Sequence, residues 1–253
     1  MHERRVFVDL SGVSTAACGS ETGISAEDAH HLKDVLRLTE GAVITVVCRA
    51  TGQTYEAILS SLTPQVRLKL VSRLEPGSGQ TALQTMAVAL LKGDRNDLAC
   101  EQLTQFGVKR IIFWQAQRSV ARIKNEQDAG RRTERWQRIC EASAKQSGQN
   151  FIPGVEYASS LEELLHRIKN LSGPGDIRLF CSLLPQARTF RDFSTEAANV
   201  HMLIGPEGDF SPQEEQILLK QGLHPLSLGS FRFRSETAAV AAAAMASLWW
   251  GRK

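Results

Sequence analysis

The 253-residue chain carries 30 Lys and Arg against 27 Asp and Glu, with 42% hydrophobic and 23% charged residues. That balance describes a globular protein and excludes a disordered, fibrous or collagen-like chain. A net charge of +3 does not by itself announce a nucleic-acid partner, and the longest apolar stretch, Ala238 to Ala246, is far too short to span a membrane. No membrane association is expected, and with no signal-peptide core near the N-terminus a cytoplasmic location is the default expectation.

The chain opens with short runs of alternating or β-branched apolar residues at 4–10, 42–50, 53–62 and 66–74, separated by Gly, Pro and Ser. Residues 25–41 read as helical, with Ser25 as N-cap, Asp28 as an acidic capping-box partner and Gly41 closing the run. A small barrel with one helix fits this pattern. The stretch Glu75-Pro76-Gly77-Ser78-Gly79-Gln80 reads as a linker, so domains are expected at 1–74 and 75–253.

Beyond it, strands alternate with helices. Strands are predicted at 83–91, 110–114, 176–184, 200–208 and 224–229. Helices are predicted at 95–106, with Gly107 as C′ residue, and at 131–147, 160–170, 211–222 and 235–250. Such alternation predicts an α/β domain, a mostly parallel sheet covered by helices. Charge is uneven. Residues 1–72 hold seven Lys and Arg against eight Asp and Glu, whereas residues 110–145 hold nine against four. A cationic face of that size can meet phosphates, or can be a solvated helix face. The five cysteines lie far apart and form no zinc or redox pair, so buried free thiols and no metal are expected.

Two segments carry chemistry. In Leu203-Ile204-Gly205-Pro206-Glu207-Gly208 an apolar strand stops at a glycine turn, and Ser211, Pro212 and Glu214 then spell a capped helix start. In Leu228-Gly229 a second strand stops at glycine, followed by Arg232, Phe233 and Arg234 and by an alanine-rich helix for which Ser235 or Thr237 is the expected cap. Ligands of open α/β sheets bind where strands end, and an arginine beside a helix N-terminus suits an anion or oxyanion. Neither segment matches a dinucleotide or ATP fingerprint: no GxGxxG follows an early strand and no GxxxxGK[ST] occurs.

Taken in order, the motifs RRVFV, HHLKDVLRLTEG, LLKGDRNDLACEQLTQFGV, QRSVAR, RWQRICEASAKQSGQNFIPGV, LIGPEGDFSPQEE and LGSFRFRSETAA span nearly the whole chain. Together they resemble the bacterial family that methylates N3 of a uridine in small-subunit (16S) ribosomal RNA, within the SPOUT methyltransferase superfamily. The resemblance implies a PUA-like barrel for RNA, then a SPOUT-type α/β domain with a deep trefoil knot, a homodimer, and S-adenosyl-L-methionine held by the knot loops. Carried onto this chain, the cofactor residues are Leu183, Leu203, Ile204, Gly205, Glu207, Gly208, Leu228, Gly229, Phe233, Arg234 and Thr237. Arg234 is the first candidate to stabilise charge on the base, with Glu236 holding it or contacting the cofactor. Arg4, Arg5, Arg118, Arg122, Arg131 and Arg132 are the implied grip on ribosomal RNA or the small subunit. The family pattern has glycine where this chain has Asp209, arginine where it has Phe231, and isoleucine where it has Arg232. An active, divergent enzyme and a non-catalytic or differently targeted RNA-binding paralogue in ribosome assembly both fit these departures.

Overall fold

The computed structural model of the protein describes residues 5–9, 18–74, 80–81 and 83–252, so the expected linker and Arg4 lie outside the described residues. The chain divides into two compact units, Met1–Gly77 with Ala144–Ile152, and Ser78–Ser143 with Pro153–Lys253. A single cut after residue 74 therefore misses one passage, because the first unit takes back a later segment.

The first unit contains β1 (Arg5–Val8), β2 (Glu21–Gly23), α1 (Ala26–His30), β3 (Val43–Cys48), β4 (Thr54–Ser61) and β5 (Arg67–Leu74). Its sheet has the order β1-β3-β4-β5-β2, with β1 and β3 parallel and the other pairs antiparallel. Alternation puts Leu68 and Leu70 of β5 into a core with Val46, Ala57 and Leu59, while Arg67 and Lys69 face out. The helical reading of residues 25–41 holds only in part. Ser25 does cap α1 by accepting the Asp28 N–H, but a π-helical turn follows at His31–Val35 and the helix stops there. Leu32 and Leu38 both belong to the core, yet six residues apart they cannot share one face of an α-helix. Arg37, at φ 50°, makes the reversal that returns Leu38 to the interior. The Asp28 carboxylate takes the Asp9 N–H at 3.2 Å and the Arg49 guanidinium at 3.1 Å, tying α1 to the end of β1. The returning segment covers Phe7 and Val47 with Ala144 and Ile152, and Asn150 Oδ1 accepts from the Thr54 hydroxyl at 3.2 Å and from Arg5.

The second unit contains β6 (Gln80–Thr81), β7 (Leu83–Ala89), α2 (Arg95–Gln105), β8 (Arg110–Trp114), α3 (Glu126–Ser147, whose last residues belong to the first unit), β9 (Gly154–Ala158), α4 (Leu161–Leu171), β10 (Ile177–Cys181), β11 (Val200–Ile204), α5 (Pro212–Lys220), β12 (His224–Leu226), α6 (Ser235–Trp249) and β13 (Gly251–Arg252). β6 and β13 pair separately, and the other strands form a parallel sheet in the order β12-β10-β11-β7-β8-β9. β11 is thus inserted between β10 and β7, and all five of its residues are buried. Helices cover both faces. On one, Ala87, Ile112, Trp114 and Leu203 pack with Leu161, Leu164 and Ile168 of α4 and Leu218 of α5. On the other, Phe113 meets Trp136 of α3 with ring centroids 4.3 Å apart, and α6 lies against β7 and α2. Ala239, Ala242, Ala243 and Ala246 of α6 are buried, where methyl side chains permit a close approach.

Helix ends follow the sequence. Gly107 takes φ 75° after α2, its N–H reaching Thr104 O and the Val108 N–H reaching Leu103 O, a Schellman closure. Two differences stand out: α3 begins earlier than predicted, because Asn125 Oδ1 caps it through the Asp128 N–H at 2.9 Å, and β9 was not predicted at all. Of the cysteines, Cys48, Cys100 and Cys140 are buried free thiols as expected, while Cys18 is an exposed free thiol. No helix among the described residues is long and apolar enough to cross a membrane.

His201 of β11 is fully buried, with Nε2 3.3 Å from Asp176 and Nδ1 without a hydrogen-bond partner. Burial holds its pKa below the usual histidine value, although Asp176 pulls the other way. Below about pH 6.5 the unfolded chain therefore binds a proton that the folded chain refuses, and stability falls as pH drops through that window. Denaturant melts of the wild type from pH 7 to 5 are expected to lose at most about 1.4 kcal/mol per pH unit from this group, and His201→Gln should flatten the profile over that range.

Candidate active site

β12, β10 and β11 are neighbours and run parallel, so the segments leaving their C-terminal ends converge on one edge of the sheet. They enclose a cleft of about 340 Å³. Cys181, Ser182 and Leu183 contribute one wall after β10. Ile204, Gly205, Pro206, Glu207 and Asp209 contribute the second after β11. Leu228, Gly229, Phe231, Arg232, Phe233 and Arg234 contribute the third after β12. The volume lies in the range of small-molecule sites, and its walls mix apolar side chains with strand-end backbone and a few charges.

Each wall is fixed locally. Ser182 N–H donates to Leu226 O at 2.9 Å, joining the first wall to the third, and the Ser182 hydroxyl accepts the Leu184 N–H at 3.1 Å. Burial pushes the Cys181 thiol up to about 12, so it is no thiolate nucleophile. In the second wall a Cβ on Gly205 would lie 3.0 Å from the Phe210 ring, which itself packs between Trp114 and Phe180. Only glycine leaves that aromatic cluster in place. Asp209 sits at φ 63°, and its carboxylate accepts the Phe210 N–H at 2.9 Å. Ser211 and Glu214 then form the expected capping box, with Pro212 opening α5. The other Glu214 oxygen accepts the Gln117 N–H at 2.8 Å, which draws in the segment after β8.

The third wall departs from expectation at the start of α6. Neither Ser235 nor Thr237 caps the helix. The N-cap is Arg234, extended at φ −66° and ψ 153°, and it offers no side-chain acceptor to the first N–H groups. Positive helix-end charge and the arginine therefore fall at the same place.

A residue not singled out in the sequence ties the second wall to α6. Arg95, the first residue of α2, places Nη1 3.1 Å from Glu207 and Nε 3.6 Å from Glu236. The Glu236 side chain is only 11% exposed, and its second oxygen has no hydrogen-bond partner. Arg95 lies in the KGDRND motif, where its charge was the available signal; nothing local in sequence links it to two carboxylates more than a hundred residues away.

The expected cofactor residues separate accordingly. Leu183, Ile204, Gly205, Glu207, Leu228, Gly229, Phe233 and Arg234 line the cleft. Leu203, Gly208 and Thr237 do not: Leu203 is buried in the sheet, a Cβ on Gly208 would meet Arg118 at 3.2 Å, and Thr237 is exposed on the helix. Glu236, expected near the reacting groups, is turned to Arg95 and is not part of the wall. Among the expected RNA contacts, Arg118 donates to Gly208 O and Phe210 O, and Arg122 to Ala116 O and Gln117 O, so both brace loops. Arg131 and Arg132 share Asp128, whose carboxyl they hold down to about 2, and Arg131 remains largely exposed. Arg5 is engaged with Asn150.

Comparison with known proteins defines the class. A family model described as an RNA methyltransferase domain matches residues 81–247, and the chain belongs to that family. The ribosomal RNA small subunit methyltransferase E of Bacillus subtilis (strain 168) is 27% identical over 248 residues, covering 93% of this chain and 92% of its own. A solved structure of a ribosomal RNA small subunit methyltransferase E from Neisseria gonorrhoeae, bound to S-adenosyl methionine, shares the fold with a TM-score of 0.82 at 24% identity over 99% of both chains. The methyltransferase Lpg2936 from Legionella pneumophila, also solved with its bound cofactor, has a TM-score of 0.80 at 23% identity over 98% of both.

Substitutions at two positions test this arrangement. Arg95→Ala strips a shielded carboxylate of its cation, and because Arg95 is itself a third exposed the expected loss is about 1–2 kcal/mol in denaturant unfolding. At position 209, glycine should keep full stability, whereas Asp209→Val should cost about 1–2 kcal/mol because a β-branched side chain resists the left-handed region.

Proposed function

We propose that the protein is an S-adenosyl-L-methionine-dependent methyltransferase that modifies N3 of a uridine in small-subunit ribosomal RNA. The observation that carries the reading is the cleft at the ends of β10, β11 and β12, with Arg234 at the uncapped start of α6. The fit to the cofactor rests on the walls themselves. Leu183, Ile204 and Leu228 offer apolar surface, and Arg95, shared between Glu207 and Glu236, offsets only one of their two negative charges, leaving net negative charge suited to a cationic ligand. When bound, the cofactor supplies an electrophilic methyl group on a sulfonium.

The chain's own task is then to make N3 nucleophilic and hold it in place. N3 carries an imide proton that passes to solvent water, and the negative charge left by its departure spreads over O2 and O4. The Arg234 carbonyl accepts the Ala238 N–H at 2.7 Å, but its guanidinium makes no ion pair or hydrogen bond among the described residues and is available to fork onto a carbonyl oxygen. Glu236 acts through Arg95, as a positioning residue that keeps the second wall against α6. The target base must leave its stack to enter the cleft.

The remaining features are consistent with the same reading. The first unit is proposed as a PUA-like barrel for RNA, and the second, which carries the exposed Arg131, as a SPOUT domain whose loops after β10, β11 and β12 form a trefoil knot. α6 leaves Leu248 88% exposed and Met245 38% exposed, which supports a homodimer. The names of the relatives support ribosomal RNA of the small subunit as the substrate.

Methylation at N3 blocks Watson–Crick pairing, so reverse transcriptase should stop at the modified uridine in ribosomal RNA and read through in cells lacking the protein. An unchanged stop pattern would refute the uridine-N3 assignment. Calorimetry should register S-adenosylmethionine binding to the purified wild type. Arg234→Ala should keep that binding while transfer falls about 100-fold or more, and full activity in the variant would remove Arg234 from its role.

A further inference from the structure

Loop Gly229–Arg234 shows an interleaved pair of aromatic and cationic residues, Phe231-Arg232-Phe233-Arg234, along one wall of the cleft. Phe231 is 78% exposed and Phe233 is 41% exposed. Neither ring has an aromatic or cationic partner among the described residues, and neither belongs to a hydrophobic core. The Arg232 and Arg234 guanidinium groups likewise make no ion pair or hydrogen bond there. A scattered surface apolar residue needs no explanation, but a phenyl ring left in water on the wall of a ligand cleft, flanked by unpaired guanidinium groups, is a different case.

The chemistry that fits this wall is an unstacked nucleobase. A base has a flat π face that a phenyl ring can cover, and its carbonyl oxygens and the phosphate of its nucleotide suit the arginines on either side. Phe231 is the more exposed of the two rings, and Phe233 has less of its surface in solvent.

We propose that Phe231 is the stacking platform for the target base, taking the extruded ring face to face while Arg232 meets the RNA backbone. This rests on the methyltransferase reading above and adds a substrate-binding residue to it. The platform replaces the stacking energy that the base loses on leaving the RNA, which makes it a determinant of RNA affinity more than of chemistry.

The test pairs substitutions that separate π-stacking from bulk. Phe231→Leu keeps an apolar side chain without a π face, and Phe231→Trp keeps the face. With a small-subunit ribosomal RNA fragment as substrate, Phe231→Leu should raise KM for RNA by about 10-fold or more, with kcat changed much less, and Phe231→Trp should restore the wild-type value. S-adenosylmethionine affinity by calorimetry should be equal in all three proteins. A second readout is photochemical: RNA carrying 5-iodouridine in place of uridine should crosslink to the peptide containing Phe231, as identified by mass spectrometry. A wild-type KM in Phe231→Leu together with a crosslink elsewhere overturns the proposal. So does a loss of cofactor affinity that parallels the loss of activity, which would assign Phe231 to the donor's pocket. If the wild type itself binds no S-adenosylmethionine and methylates no RNA, the methyltransferase reading has failed, and the platform fails with it.

Discussion

Strand β11 has no surface. Its five residues are buried on both faces, and it is hydrogen-bonded on one side to β10 and on the other to β7, so neither its register nor its direction can drift without dismantling the sheet. Everything in the cleft inherits that rigidity. Gly205 follows directly from Ile204 at the strand's end, its missing side chain lets Phe210 stand against Trp114 and Phe180, and the capped start of α5 sets where the chain goes next. A site built on a strand so confined is preorganised before any ligand arrives.

Around that strand, charge does what packing cannot. Arg95 reaches Glu207 on the second wall and Glu236 on α6, while Arg118 holds the carbonyls of Gly208 and Phe210. Arg118 and Arg122, two of the arginines that charge counting offers to RNA, are occupied with loop carbonyls. Positive charge clustered in sequence is divided in space between architecture and surface, and the division follows from which backbone carbonyls need a donor.

Much of this was legible in the residues, and the limits have physical causes. The Ser211 and Glu214 capping box, the glycine turn after β11 and the closure of α2 at Gly107 depend on contacts within a few positions, and the sequence displays them directly. β9 was not legible, because Gly154–Ala158 becomes a strand by pairing with β8 rather than through a pattern of its own. Arg95 was not legible as a bridge, since its partners are brought to it by the order of strands. At the start of α6 the local rule misled: Ser235 and Thr237 are good capping types, but the backbone turns into the helix at Arg234. The parallel α/β class followed from alternation, whereas the insertion of β11 between β10 and β7 is a property of the assembled sheet alone.

The return of Ala144–Ile152 to the first unit bears on the order in which the protein can be made. Phe7 and Val47 emerge from the ribosome early, but Ala144 and Ile152, which cover them, come only after α2, most of α3 and the strands β7 and β8 of the larger sheet. The amino-terminal unit therefore cannot complete itself as synthesis proceeds, and it must wait with an apolar patch uncovered until more than half of the chain exists. A fragment ending at Gly77 would keep that patch permanently, together with a Thr54 hydroxyl deprived of Asn150. Vectorial folding, one module after another, is closed to this chain.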